Sequence, residues 1–116
     1  MRIVGDVTSE KLEMLRKADA IFREEVVAAG LDRRIWQYFA VLTDIRTFGQ
    51  RSGRPCEEYA VALRAVSSHD VLSFNAYRLP YDLLERVCQR ITGEVRGVNR
   101  VLYDVTGMPS AFIEWE

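Results

Sequence analysis

The stretch GVNRVLYDVTGMPSAFIEWE, residues 97–116, restricts the fold more than any other part of the chain. Val101, Tyr103 and Val105 alternate with Arg100, Leu102 and Asp104, and a period of two belongs to a strand, whose successive side chains point to opposite faces. Thr106-Gly107-Met108-Pro109 interrupts the alternation, because glycine permits positive φ while proline fixes φ and donates no hydrogen bond. Ala111, Ile113 and Trp115 then alternate with Phe112 and Glu114. The pattern predicts two strands joined by a tight turn. Such an apolar ribbon is marginal alone, so something must cover it. An end patterned this well is expected to be tied down within the structure or at an interface.

The preceding chain supplies candidate covers. Residues 1–7, MRIVGDV, read as a short entering segment, and residues 8–116 as one domain. Thr8 or Ser9 can cap a helix. Leu12, Leu15, Ala18, Phe22, Val26 and Ala29 follow at steps of three and four, and Gly30 closes the pattern, as expected of an amphipathic helix with a left-handed terminus. The apolar run YFAVLT (residues 38–43) predicts a strand buried on both sides. Residues 44–58, DIRTFGQRSGRPCEE, read as a mobile loop, with the first strand reaching at most Phe48. YAVALRAV (residues 59–66) predicts a second strand, and SSHDVLSFNAYR (residues 67–78) a connector. Pro80 suits the first position of a second helix, whose buried stripe would be Leu83, Leu84, Val87, Cys88, Ile91 and Val95.

The expected order is therefore helix-strand-strand-helix-strand-strand. It is an α+β fold with an antiparallel or mixed sheet and both helices on one face. The other sheet face would then be bare, and bare apolar surface is usually an interface. A homodimer through the sheet is the expected partner arrangement.

Composition narrows function mainly by exclusion. The chain has 116 residues, 48% of them hydrophobic, and a formal net charge of −1. No global basic field recruits nucleic acid, and no apolar run is long enough to predict a membrane span. Residues 1–11 lack the apolar core of a secretory signal. Cys56 and Cys88 show no metal spacing, and two free thiols fit a reducing, cytoplasmic setting. His69, the lone histidine, and the adjacent Asp70 make no catalytic arrangement with Cys56. GQRSGR (residues 49–54) has two glycines and two arginines. It is no Walker motif, yet Arg51 and Arg54 are candidate anion contacts. Glu114 stands in an apolar strand and needs a partner, with Arg100 or a ligand as the options. These residues favour an assembly module over an enzyme, with no metal site and no catalytic residue.

Three segments, AVALRAVSSHD (residues 60–70), LPYDLLERV (residues 79–87) and ITGEVRGVNRVLYDVTGMPSAFIEWE (residues 91–116), resemble the C-terminal end of glutamine-hydrolysing GMP synthase. TSEKLEMLRKADAIFREEV and IWQYFAVL agree in the first half. The resemblance implies the family's dimerisation domain, which follows an amidotransferase and an ATP pyrophosphatase domain and lends residues to the XMP site. It implies XMP-phosphate contacts at Arg100, Ile113 and Glu114. It also implies no activity from this chain alone, because neither the glutaminase residues nor an SGGxDS loop is present. ATP and magnesium would bind the ATP pyrophosphatase domain, so no cofactor is expected here. Met108 stands where the family carries lysine before a Pro-Pro pair, and Arg51 and Arg54 are candidates to replace that charge. The alternative is a stand-alone, diverged relative that binds a nucleotide or other anion, or docks on a separate ATP pyrophosphatase subunit.

Overall fold

A computed structural model of the chain describes residues 2–70, 73–108 and 110–115. Pro109 and the side chains of His69 and Asp70, all singled out above, lie outside the described residues, as does Glu116. The elements run α1 (Ser9–Ala28), β1 (Gln37–Arg51), β2 (Arg54–Asp70), β3 (Ser73–Ala76), α2 (Tyr81–Glu94) and β4 (Val98–Tyr103). The α+β class and the placement of both helices on one sheet face hold. The order differs in two places. Part of the expected connector forms β3, and among the described residues one strand follows α2.

Helix α1 starts at Thr8, whose hydroxyl accepts from the Lys11 amide at 3.2 Å. This satisfies one of the amides that a helix start leaves unpaired. Ala18, Ile21, Phe22 and Val26 form its buried face, and Leu83, Val87 and Ile91 form that of α2. Both faces pack on Ala40, Leu42, Val61, Leu63 and Ala65. Each of the larger side chains contributes about 1.5–3 kcal/mol on leaving water.

Strand β2 organises the sheet. Strand β1 pairs with it antiparallel from Gln37↔Val66 to Arg51↔Arg54. The expected mobile loop at residues 44–58 is thus the outer half of a hairpin. Its turn is Ser52-Gly53, with φ of +52° and +77°, as a two-residue turn matched to strand twist requires. The polar composition that suggests a loop instead serves cross-strand pairing. Arg46 sits 3.8 Å from Glu57, and Arg51 2.8 Å from Glu58. The ladder shifts register between Leu42 and Arg46. At that break the Thr43 hydroxyl donates to Ala60 O at 2.7 Å, so a buried carbonyl is not left unpaired.

The far edge of β2 is shared. Strand β3 pairs with its end antiparallel, while β4, after the α2 crossover, pairs parallel from Tyr59↔Val98 to Leu63↔Tyr103. The outer edge of β1 is covered as well. The Asp19 carboxylate accepts from Ala40 N at 2.8 Å, and Leu42 exchanges backbone bonds with Arg2 and Val4, each 2.9 Å.

The second sheet face is not bare along its centre, contrary to the sequence expectation. Phe39, Val41, Ala62 and Val66 are buried there, with Val4 and Ile113 packed on the first three. The segment after β4 lies across this face.

Candidate functional site

The second expected strand of the C-terminal ribbon does not form; residues 111–115 are irregular. One buried side chain explains why. Arg64 faces away from the helices and is 0% exposed. Its Nε donates to Ile113 O at 3.2 Å and its Nη2 to Phe112 O at 3.0 Å. Its Nη1 donates to Asp104 O at 3.4 Å and also to Thr106 O. These carbonyls find their partner in a guanidinium beneath them, so the segment crosses the sheet face without extending the sheet.

Asp104 balances the buried charge. Its Oδ1 lies 3.2 Å from Arg64 Nη1 and accepts from Thr106 N at 2.9 Å. Its Oδ2 accepts from Trp115 Nε1 at 3.0 Å. The start and the end of the segment are thereby tied through one carboxylate. Further along, Met108 N donates to Phe74 O at 3.1 Å and Ala111 N to Gly107 O at 3.1 Å. Met108 therefore belongs to a backbone bridge to β3.

Ile113 is half-buried, its side chain packed on Phe39, Val41 and Ala62. Glu114 is exposed, and its partner is Arg2, not Arg100. Arg2 Nε and Nη2 reach Glu114 Oε1 and Oε2 at 3.3 and 3.1 Å. The Arg2 guanidinium also lies 3.8 Å over the Phe39 ring. Arg100 is exposed on β4, opposite Ala60. Its neighbours Val101 and Tyr103 pack toward the helices, so Arg100 and Leu102 alternate to the face that carries Ile113. Among the described residues no hydrogen bond or ion pair engages Arg100, which leaves its fork open to an anion.

The two hairpin arginines differ. Arg51 donates through Nε to both Glu58 oxygens at 2.9 and 2.8 Å, through Nη1 to Thr92 O at 3.0 Å and through Nη2 to Val98 O at 2.7 Å. It pins the hairpin to the end of α2 and the start of β4, and the hydrogen bond with Glu58 holds it firmly charged. Its donors are committed within the fold. Arg54 is exposed and has no partner among the described residues.

Sequence reasoning missed Arg64, Asp104 and Arg2. Arg64 left a legible signal, since it interrupts AVALRAV, a run in which an arginine can be buried only with partners. Arg2 left none, because its partner lies 112 positions away. The described residues contain no group of three or more His, Cys, Asp or Glu side chains that could hold a metal ion. No described helix is long and apolar enough to cross a membrane.

Residues 24–115 match the family described as GMP synthase C terminal domain. Over its whole length the chain is 56% identical to a glutamine-hydrolysing GMP synthase of Caldicellulosiruptor saccharolyticus, of which it covers 23%. It is 54% identical to that of Geobacillus kaustophilus and 50% identical to that of Clostridium novyi, again covering 23% of each. The chain spans about a quarter of the length of these relatives, and it belongs to the GMP synthase C-terminal domain family.

Proposed function

We propose that this chain is the dimerisation and assembly domain of a cytoplasmic GMP synthase. It lends Arg100, Ile113 and Glu114 to the site that binds the XMP phosphate and carries no catalytic centre itself. Amination of XMP, with ATP and magnesium, would belong to the remaining three-quarters of such a synthase. The observation that carries the reading is the docking of the C-terminal segment by Arg64. A buried cation that gathers the carbonyls of an irregular segment holds that segment in one shape, as a binding element requires. Arg100, open on the same face, supplies a fork suited to phosphate.

The dimer reading has its own support. Leu102 on β4 and Val105, Phe112 and Trp115 on the C-terminal segment are all exposed, Phe112 by 78%. Four large apolar side chains left exposed favour association. Here the interface would use the segment that covers the sheet, along with the sheet itself.

Sedimentation of the chain at micromolar concentration tests the dimer. A dimeric mass that falls to monomeric with Phe112→Asp is expected, whereas a monomer in both would overturn it. Titration calorimetry with XMP, on the chain mixed with an ATP pyrophosphatase domain, tests the site. Binding weakened by Arg100→Ala is expected; binding indifferent to Arg100 and Glu114 would sink the assignment. A stand-alone anion binder is the second reading, favoured by the open Arg54 and Arg100. It predicts the same heats from the chain alone.

A further inference from the structure

The geometry points to Arg2 as a positioning residue for the nucleotide, fixing and neutralising the Glu114 carboxylate from the opposite end of the chain. This rests on the reading above, in which Ile113 and Glu114 belong to the XMP site.

Arg2 is itself held before it reaches Glu114. Its carbonyl accepts from Leu42 N at 2.9 Å, which fixes its backbone beside β1. Its guanidinium lies 3.8 Å over the ring of Phe39, a residue only 1% exposed. From that seat Nε and Nη2 engage the two carboxylate oxygens at 3.3 and 3.1 Å. A two-pronged contact fixes the plane of the carboxylate as well as its place. On the other side Arg64 fixes the carbonyls of Phe112 and Ile113. The Glu114 backbone is thus set from below and its side chain from the flank.

Two chemical consequences follow. A bare carboxylate beside a phosphate would repel it, while a carboxylate shared with arginine brings no net charge. Its outward lone pairs still accept from a hydroxyl or an ammonium group. A glutamate already ordered also spares the nucleotide the cost of ordering it. Both effects act on binding and neither acts on a bond-making step. They therefore belong in KM for XMP and not in kcat.

The test uses a full-length synthase of the Geobacillus kaustophilus type in which this chain replaces the 23% it matches. Arg2→Gln is expected to raise KM for XMP about tenfold, with kcat and KM for ATP within about twofold. Arg2→Lys should recover part of the loss, since it keeps the charge and loses the fork. Arg2 is a partly exposed side chain, so these variants keep the fold. Glu114→Gln, measured in parallel, separates the two claims. If Glu114→Gln raises KM for XMP and Arg2→Gln does not, the positioning role is overturned and the site assignment stands. If neither variant moves KM, or the unaltered chimera makes no GMP, the site assignment fails and this inference fails with it.

Discussion

Arg64 Nη1 and Asp104 Oδ1 meet at 3.2 Å, with the arginine side chain wholly shielded from water. Removing one partner of a buried pair leaves the other uncompensated. Arg64→Met is expected to cost about 3 kcal/mol, read as a lower urea midpoint. It should also speed amide exchange in residues 104–115 more than in α1. Equal protection of the segment in both proteins would refute the docking role.

Gly107 lies within the same segment. A Cβ at this position would come within 2.7 Å of Phe74 O, a backbone atom that cannot swing aside. Gly107→Ala is expected to lift the Met108 bridge from β3 and to cost about 1–3 kcal/mol. Thermal unfolding would show it. Gly93→Ala, where nothing lies within 4 Å, should slightly stabilise α2 and serves as the contrast.

The helix pair carries a pH-dependent contact. Burial pushes the Glu25 carboxyl up, but hydrogen bonds from Arg90 and Arg86 outweigh it and hold the group below its ordinary 4.5. The bonds are 3.1 Å from Arg90 and 3.2 Å from Arg86. A carboxyl depressed by folding adds stability that is fully present above its unfolded value and is lost as pH falls through the folded one. Urea midpoints of the natural chain and Glu25→Gln should therefore differ at pH 7 and converge in acid. A gap that persists at the lowest pH would contradict the assignment.

Tyr103 behaves in the opposite sense. Burial raises its phenol above the ordinary 10.0, and its hydroxyl donates to Tyr77 O at 2.5 Å and Ala65 O at 3.2 Å. The folded chain prefers the neutral phenol, so this stabilisation is complete below the unfolded value and is lost as pH rises past it. Tyr103→Phe should cost about 1 kcal/mol at neutral pH. In an ultraviolet titration of the folded chain, the latest-ionising tyrosine should disappear with that substitution.

The two hairpin arginines should part company. Arg51→Ala removes donors to Thr92 O and Val98 O and strands Glu58, for about 1–2 kcal/mol. Arg54→Ala should stay within about 0.5 kcal/mol. Denaturant titrations of both variants make the comparison.

The helices were legible because their apolar stripes and stops are local. Thr8 and Gly30 stand within a residue or two of where α1 begins and ends, and Pro80 stands just before α2. The cores of β1 and β2 were legible for the same reason. The outer hairpin was not, because its polar side chains pair across strands, as Arg46 does with Glu57, and a linear pattern does not show which partner a charge finds. The alternation of Ala111, Ile113 and Trp115 misled for a different reason. Of the three, Ile113 packs on the sheet face while Trp115 stays exposed, so an apolar alternation need not mark a paired strand. Of the candidate site, Glu114 was seen to need a partner, but the choice of Arg2 over Arg100 depends on where residues 2–4 run beside β1.

That Arg2 and Glu114 touch at 3.1 Å also bears on connectivity. A contact between residues 112 positions apart closes a loop that spans nearly the whole domain, and loop-closure entropy makes such a contact one of the last to be rewarded as the chain folds. The exposed hairpin tip at Ser52-Gly53 takes no part in that closure and is the natural place to graft a guest sequence.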